Sequence, residues 1–444
     1  MRSYLILLMC VLFLIQYFLQ LYWLESIVVF LVLLAFIASA TSSSGFPRII
    51  SIFMMVVGLM LEFQKGSGLE GISQGILLIL PLLCLVTLSP LLSVPLKLEG
   101  YFEAVNALLR NLIHYPRKLF AGITTSLFIL SPILSLGSVR VINEFLSALK
   151  LPSAITAKSY LVGFSTAIMW SPYFGSVSLV LYYLGMPVGQ YILYGIGLSL
   201  LSLIVGNFLF FIWERKHPLL KKEIPEAVLE TQHRSQLIKL TMFVSILISS
   251  SLIIEHLTKW SMIVIVCVIS IIQPLVWAII KNNGWKRLYP QWITFKDVSV
   301  PIMNNEIMLF TSAGLLGHAI QDTSIANNLS YLLINIAEKS IFLFAFSVMT
   351  IILVVTFIGI HQIAVITALA MQLSPTELGI STLSLAMLLL LSWAVSSALS
   401  PFSGLNLMVS RLSGLSGVQV GLRANGLHLL ILSIIGIGIF MLVA

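Results

Sequence analysis

The sequence predicts an all-α polytopic membrane protein. About eleven transmembrane helices and two re-entrant hairpins are expected, in two inverted-topology repeats with helices broken at mid-membrane. Three observations carry that prediction. The chain has 444 residues, 59% hydrophobic and 9% charged, where a soluble domain carries about a quarter charged residues. Apolar runs of about 20 residues, each able to cross a ~30 Å hydrocarbon core, recur along its length. Two of these runs are interrupted by nearly the same word, "SPYFG" at Ser171–Gly175 and "SPFSG" at Ser400–Gly404.

In chain order, residues 1–24 form an extra N-terminal helix, near 4–22. No small-residue cleavage site follows it, so it reads as a retained span rather than a signal peptide. The first repeat, 25–213, opens with helices near 25–41, 47–63 and 73–94 and a mixed-polarity stretch at 97–115. An apolar block at 118–150, a broken helix at 155–186 and a span at 189–213 complete it. A polar linker, 214–239, separates the halves. The second repeat, 240–444, has spans near 240–257, 260–280 and 301–320, then a polar stretch at 321–339. A block at 340–372, a broken helix at 377–412 and a last span at 422–443 follow.

Charge orients this plan. The linker holds Arg215, Lys216, Lys221, Lys222, Arg234 and Lys239, which places it in the cytoplasm. Lys281, Lys286, Arg287 and Lys296, with Arg117, Lys118 and Lys150, fall on the same side; only Lys65, Lys259 and Lys339 fall opposite. The N-terminus is then cytoplasmic and the C-terminus outside, in a multi-pass cell-membrane protein. The net charge of +8 is scattered over short loops, which suits anionic lipid head groups and argues against nucleic acid as a partner. Cys10, Cys84 and Cys267 sit far apart in apolar runs and read as buried small hydrophobes.

The blocks at 118–150 and 340–372 do not read as single spans. The first carries Ser131-Pro132 and Ser135-Leu136-Gly137-Ser138 at its middle, with about 13 residues on each side. Arms of that length reach roughly the bilayer centre and return. The second has "TFIGIHQIA" at its middle, with Gly359, His361 and Gln362. An odd number of crossings separates the two, so they enter from opposite faces. The word "SVP" at Ser93–Pro95 recurs at Ser299–Pro301, and "ALKLPSAIT" after the first block parallels "AMQLSPTEL" after the second.

In these features the chain resembles the ion transporter superfamily, which includes divalent-anion/sodium symporters and arsenite-pump-like and dicarboxylate carriers. The resemblance covers roughly residue 25 to the end and rests on architecture. The small-residue-rich stretch Glu306–Leu329 before the second hairpin adds to it. It implies two inverted repeats, each with a hairpin and an unwound helix lining a substrate site, and an elevator-like transporter expected as a homodimer. The tips here read "SPILSLGS" and "TFIGIHQI", where the divalent-anion branch carries Ser-Asn-Thr. That branch's sodium ligands and substrate class are therefore not carried over.

A helix break in lipid frees backbone groups that protein, water or a ligand must satisfy. Half-helix N-termini suit anions and freed carbonyls suit sodium. The candidate site is accordingly Ser135, Gly137, Ser138 and Arg140; Ser171, Pro172, Tyr173 and Gly175; Gly359, His361 and Gln362; and Ser400, Pro401, Ser403, Gly404 and Asn406. A sodium ion would find oxygens near Ser135, Ser138, Ser171, Ser400 and Asn406, and a proton is the other expected coupling ion. Arg140 either holds an oxyanion or pairs with Glu144, four residues on. His361 either titrates with transport or is a neutral imidazole capping a carbonyl. Ser178 is the rough counterpart of Asn406. Tyr173 and Phe402 either stack on substrate or pack against a hairpin. Glu306 and Asp322 are expected at solvated or lipid-edge positions.

No P-loop, metal-spaced cluster or nucleophile motif is present, so no enzyme activity and no cofactor are expected. The leading function is secondary transport of a small anionic solute by alternating access. One alternative is a carrier or flippase of a lipid-linked or isoprenoid phosphate. Another is an integral-membrane enzyme acting on a lipid-linked sugar, which the short outer loops argue against.

Overall fold

The computed structural model describes residues 2–147, 151–217, 230–321 and 323–444, and no strand occurs among them. Lys150, Lys221, Lys222 and Asp322 lie outside the described residues. The chain opens with α1 (Arg2–Leu19), α2 (Tyr22–Ala40), α3 (Phe46–Lys65) and α4 (Gly68–Leu88). Glycines set two of the joints: Gly45 before α3 and Gly66 after it take φ of 73° and 80°, conformations that side chains resist. A 3₁₀ turn at Ser89–Leu92 leads from α4 into α5 (Ser93–Leu98), and α6 (Tyr101–Asn111) is the amphipathic stretch expected there.

The first apolar block folds as α7 (Pro116–Leu134) and α8 (Gly137–Ser147), parted at Ser135 and Leu136. Pro132 disturbs the last turn of α7, and Ser135 closes it at a positive φ of 47°. α9 (Ser153–Trp170) and α10 (Gly175–Tyr183) are the two parts of the first broken helix, and α11 (Val188–Lys216) follows. The second half contains α12 (Thr231–Thr258), α13 (Met262–Ile280) and α14 (Gly284–Thr294), then α15 (Val300–Ile302) and α16 (Asn304–Ile320). α17 (Ser324–Lys339) precedes the second block, which is α18 (Ile341–Ile358) and α19 (Gln362–Gln372) parted at Gly359–His361. α20 (Thr382–Leu399) and α21 (Gly404–Ser413) are the second broken helix, and α22 (Asn425–Val443) ends the chain after a π-helical turn at Gln419–Ala424.

Twelve segments among the described residues are long and apolar enough to cross a membrane, so the protein is a multi-pass membrane protein by length and composition. The count differs from the eleven expected. The arms α7 and α18 qualify on length, whereas α16 has 17 residues and three polar residues, Asn304, Asn305 and Glu306, in its first turn. Two boundaries also move. α12 begins nine residues before the expected 240 because its polar turns, with Arg234 and Lys239, are helical beyond the apolar stretch that hydropathy reads. The "GWKRLYPQWIT" segment, expected as a connection between spans, is the amphipathic helix α14.

The interior is organised around α9, α16 and α20. Nearly every residue of α9 and α20 is buried, and the two helices pack on each other, as do α9 and α21. α16 packs on α3, α4 and α19. Small residues permit that approach: a Cβ at Gly314 would lie 2.4 Å from Ile79 Cβ, and one at Gly58 3.0 Å from Leu315 Cγ. Close backbone approach through small residues is how membrane helices gain packing energy where lipid is as apolar as the protein. Cys10, Cys84 and Cys267 are buried and free.

Candidate functional site

The two breaks have the same cause and the same backbone. Proline lacks an N–H and crowds the carbonyl four residues earlier, so Pro172 orphans Ile168 O and Pro401 orphans Ser397 O. The residue before proline is pushed out of the helical region; Ser171 has φ −79° and ψ 121°, and Ser400 has φ −66° and ψ 124°. Each of these serines then accepts from the N–H two residues on, Tyr173 N and Phe402 N, both at 3.3 Å. Those N–H groups would otherwise pair with Met169 O and Ala398 O. Each break therefore frees two matched carbonyls.

Side chains satisfy all four. At the first break, Ser176 Oγ donates to Ile168 O (2.7 Å) and Tyr191 Oη to Met169 O (2.6 Å). At the second, Ser403 Oγ donates to Ser397 O (2.5 Å) and Asn406 Nδ2 to Ala398 O (3.0 Å). Ser178 Oγ donates to Pro172 O (2.5 Å), so it holds the first break much as Asn406 holds the second. A glycine of the following segment lies against each pair. A Cβ at Gly195 would meet Met169 O at 2.8 Å, and one at Gly421 would meet Ala398 O at 2.9 Å.

The surroundings of the breaks differ. Tyr173 is 2% exposed and its hydroxyl donates to Leu247 O (2.7 Å), so this ring is a structural anchor. Phe402, at the equivalent position, is 42% exposed. The second break is tied to the second block: Ser400 Oγ donates to Thr356 O (2.7 Å), and Gln362 Nε2 to Ser397 Oγ (3.1 Å). Gly359, His361, Gln362, Ser400 and Ser403 line one crevice there with Leu309 of α16. Its open space is about 20 Å³, room for roughly one water. Asn406 is fully buried, with Oδ1 lacking any hydrogen-bond partner.

His361 accepts from Ile363 N through Nδ1 (3.3 Å) and caps the start of α19. It therefore caps an N–H and not the carbonyl expected. In the first block, Ser138 Oγ bonds Ser131 Oγ and Ser135 O, both at 2.8 Å, which closes the tip on itself. Two contacts join this block to the breaks. Phe128 of α7 stacks on Trp170 at 5.0 Å, and Leu136 lies within 3.5 Å of where a Cβ on Gly404 would sit. The tip thus approaches the second break as well as the helix bearing the first.

Arg140 and Glu144 are both exposed and form no ion pair, which corrects the i,i+4 pairing. Glu306 is also not at a solvated edge: its Oε2 is buried with no partner.

Two further polar groups escaped sequence reasoning. Glu62 is fully buried in α3, with His318 Nδ1 at 2.7 Å, Ser67 Oγ at 2.5 Å and Lys65 Nζ at 3.9 Å. This cluster joins the end of α3 to the end of α16. Lys158 of α9 and His428 of α22 line a second cavity, of about 200 Å³. In sequence each looks like a helix-end charge; Gly71 beside Glu62, where a Cβ would lie 2.0 Å from the carboxylate, is the one available signal. No protein-family model matches the chain, and comparison with curated proteins gives no match.

Proposed function

We propose that the protein is a secondary active transporter that moves a small anionic solute across the membrane by alternating access, coupled to sodium or protons. The observation that carries this reading is the matched pair of breaks, of which one keeps a crevice and an unpaired buried acceptor. In this reading α7–α8 and α18–α19 are re-entrant hairpins, and 25–213 and 240–444 are inverted repeats. That is the architecture of the ion transporter superfamily. The half-helix N-terminus at Gly404 offers partial positive charge to an anion, and the free Asn406 Oδ1 suits a sodium ion or a donor on the substrate. Arg140 supplies the planar guanidinium that an oxyanion takes in pairs.

A screen of the purified protein against carboxylates and oxyanions, with and without sodium, identifies the solute by its rise in melting temperature. Uptake into proteoliposomes then tests the role of Arg140. A hydrogen bond to a charged group contributes roughly 1.5–3 kcal/mol, so Arg140→Lys should weaken binding ~10- to 100-fold while the protein folds normally. Full uptake by a well-folded Arg140→Ala variant would end the proposal that this residue recognises the solute. No stabilisation by any anion, in either salt, would end the transport reading for this class.

A further inference from the structure

We infer that the cavity between α9, α11 and α22 binds the phosphate of an anionic acyl lipid. It is separate from the breaks: Lys158 precedes Ser171 by thirteen residues, roughly 20 Å along the helix. Lys158 is half-buried in its wall, donates to Ala424 O and lies 5.7 Å from the Trp213 ring. Lys216 stands at the rim. Neither has a carboxylate within ion-pair distance among the described residues, and the nearby Glu214 is taken by Arg117 at 2.7 Å. A partly buried cation without a counter-charge is costly in an apolar setting, and an anion removes that cost.

The rest of the lining fits an amphiphile. His428 is 4% exposed, bonds Ser202 Oγ through Nε2 (3.3 Å) and leaves its buried Nδ1 unpaired. In the tautomer with hydrogen on Nδ1, it offers a phosphate oxygen one more donor. Phe210 and the 62%-exposed Leu427 give the cavity an apolar wall toward the outer face of the helices, where acyl chains would lie. Lys158 is five residues into α9, about 8 Å from its start, which is head-group depth for a helix that begins at the interface. Basic pockets between membrane helices hold lipid phosphates in this way.

The test measures thermal unfolding of the full-length protein in detergent against increasing dioctanoyl phosphatidylglycerol, dioctanoyl phosphatidylcholine or glycerol phosphate. Phosphatidylglycerol should stabilise the protein, and Lys158→Gln should weaken that effect roughly 10- to 100-fold in concentration. Lys286→Gln, an exposed cation outside the cavity, should leave it unchanged. Leu427→Trp fills the apolar mouth and keeps Lys158, so it should also weaken the lipid and serves if Lys158→Gln does not fold. Equal stabilisation by phosphatidylcholine overturns the phosphate-and-lysine site. Equal stabilisation by glycerol phosphate overturns the lipid as its source. Undiminished phosphatidylglycerol binding in folded Lys158→Gln or Leu427→Trp overturns the location.

Discussion

The breaks at Ser171–Phe174 and Ser400–Ser403 share a backbone and differ in what surrounds it. Both orphan the carbonyl four residues before a proline and the one after it. The first break spends Ser176, Ser178 and Tyr191 on closing itself and anchors Tyr173 on α12, and each of these side chains is buried. The second spends Ser403 and Asn406 on the same two carbonyls, but Asn406 Oδ1 stays unpaired and Ser400 reaches to the second block. The lesson is that nearly the same word can leave every hydrogen-bonding side chain at the break paired in one half and an acceptor unpaired in the other. What separates them is the acceptor left over, Asn406 Oδ1, which no donor reaches.

The largest expected effect comes from the glycines that seal the freed carbonyls. Gly195→Val and Gly421→Val each push a branched side chain into backbone oxygens, and overpacking of this kind costs ~1–3 kcal/mol. Both should lower the melting temperature, whereas Gly426→Val, with nothing nearer than 3.7 Å, should do so far less. Tolerance at only one of the two would break the structural equivalence of the breaks.

Removing a carbonyl's donor comes next and sharpens the functional difference. Tyr191→Phe strands Met169 O, and Asn406→Leu strands Ala398 O; an unsatisfied buried group costs ~1–3 kcal/mol. The two variants should lose similar stability in denaturation. Only Asn406→Leu should also weaken solute or sodium binding, measured by titration of the folded protein. Equal loss of binding in both would show that the first break is no mere wall.

The smallest effect lies outside both breaks and sets the pH range for these comparisons. Burial of the Glu99 carboxyl works to raise its pKa, but hydrogen bonds from Lys281 (2.9 Å) and Trp277 (2.9 Å) outweigh it. The group is held below its ordinary value of 4.5. A lowered folded pKa means the stabilisation is complete above the ordinary range and vanishes as pH falls through it and the folded value. The pair is partly exposed, so its contribution is under ~1 kcal/mol. Melting temperature should fall slightly on acidification below about 4.5, and Glu99→Gln should flatten that limb. An unchanged limb in Glu99→Gln would assign it to other carboxyls.

The sequence by itself determined the membrane class, the order of the helices and the positions of the interruptions. Apolar length and proline chemistry act within one helix, and Ser171-Pro172 and Ser400-Pro401 mark where theirs are interrupted. The interruptions at Ser135 and Gly359 were legible for the same reason, since Ser, Gly and His in an apolar run mark where a helix stops. The tertiary structure alone decided who answers each freed group. Tyr191, 22 residues past Met169, supplies one donor, and Gly421 covers oxygens of α20. Lys158 meets His428 across a cavity, because such pairings depend on how distant helices cross. Local periodicity carries no record of that crossing, and a buried polar group in a membrane finds its partner only once the helices have packed.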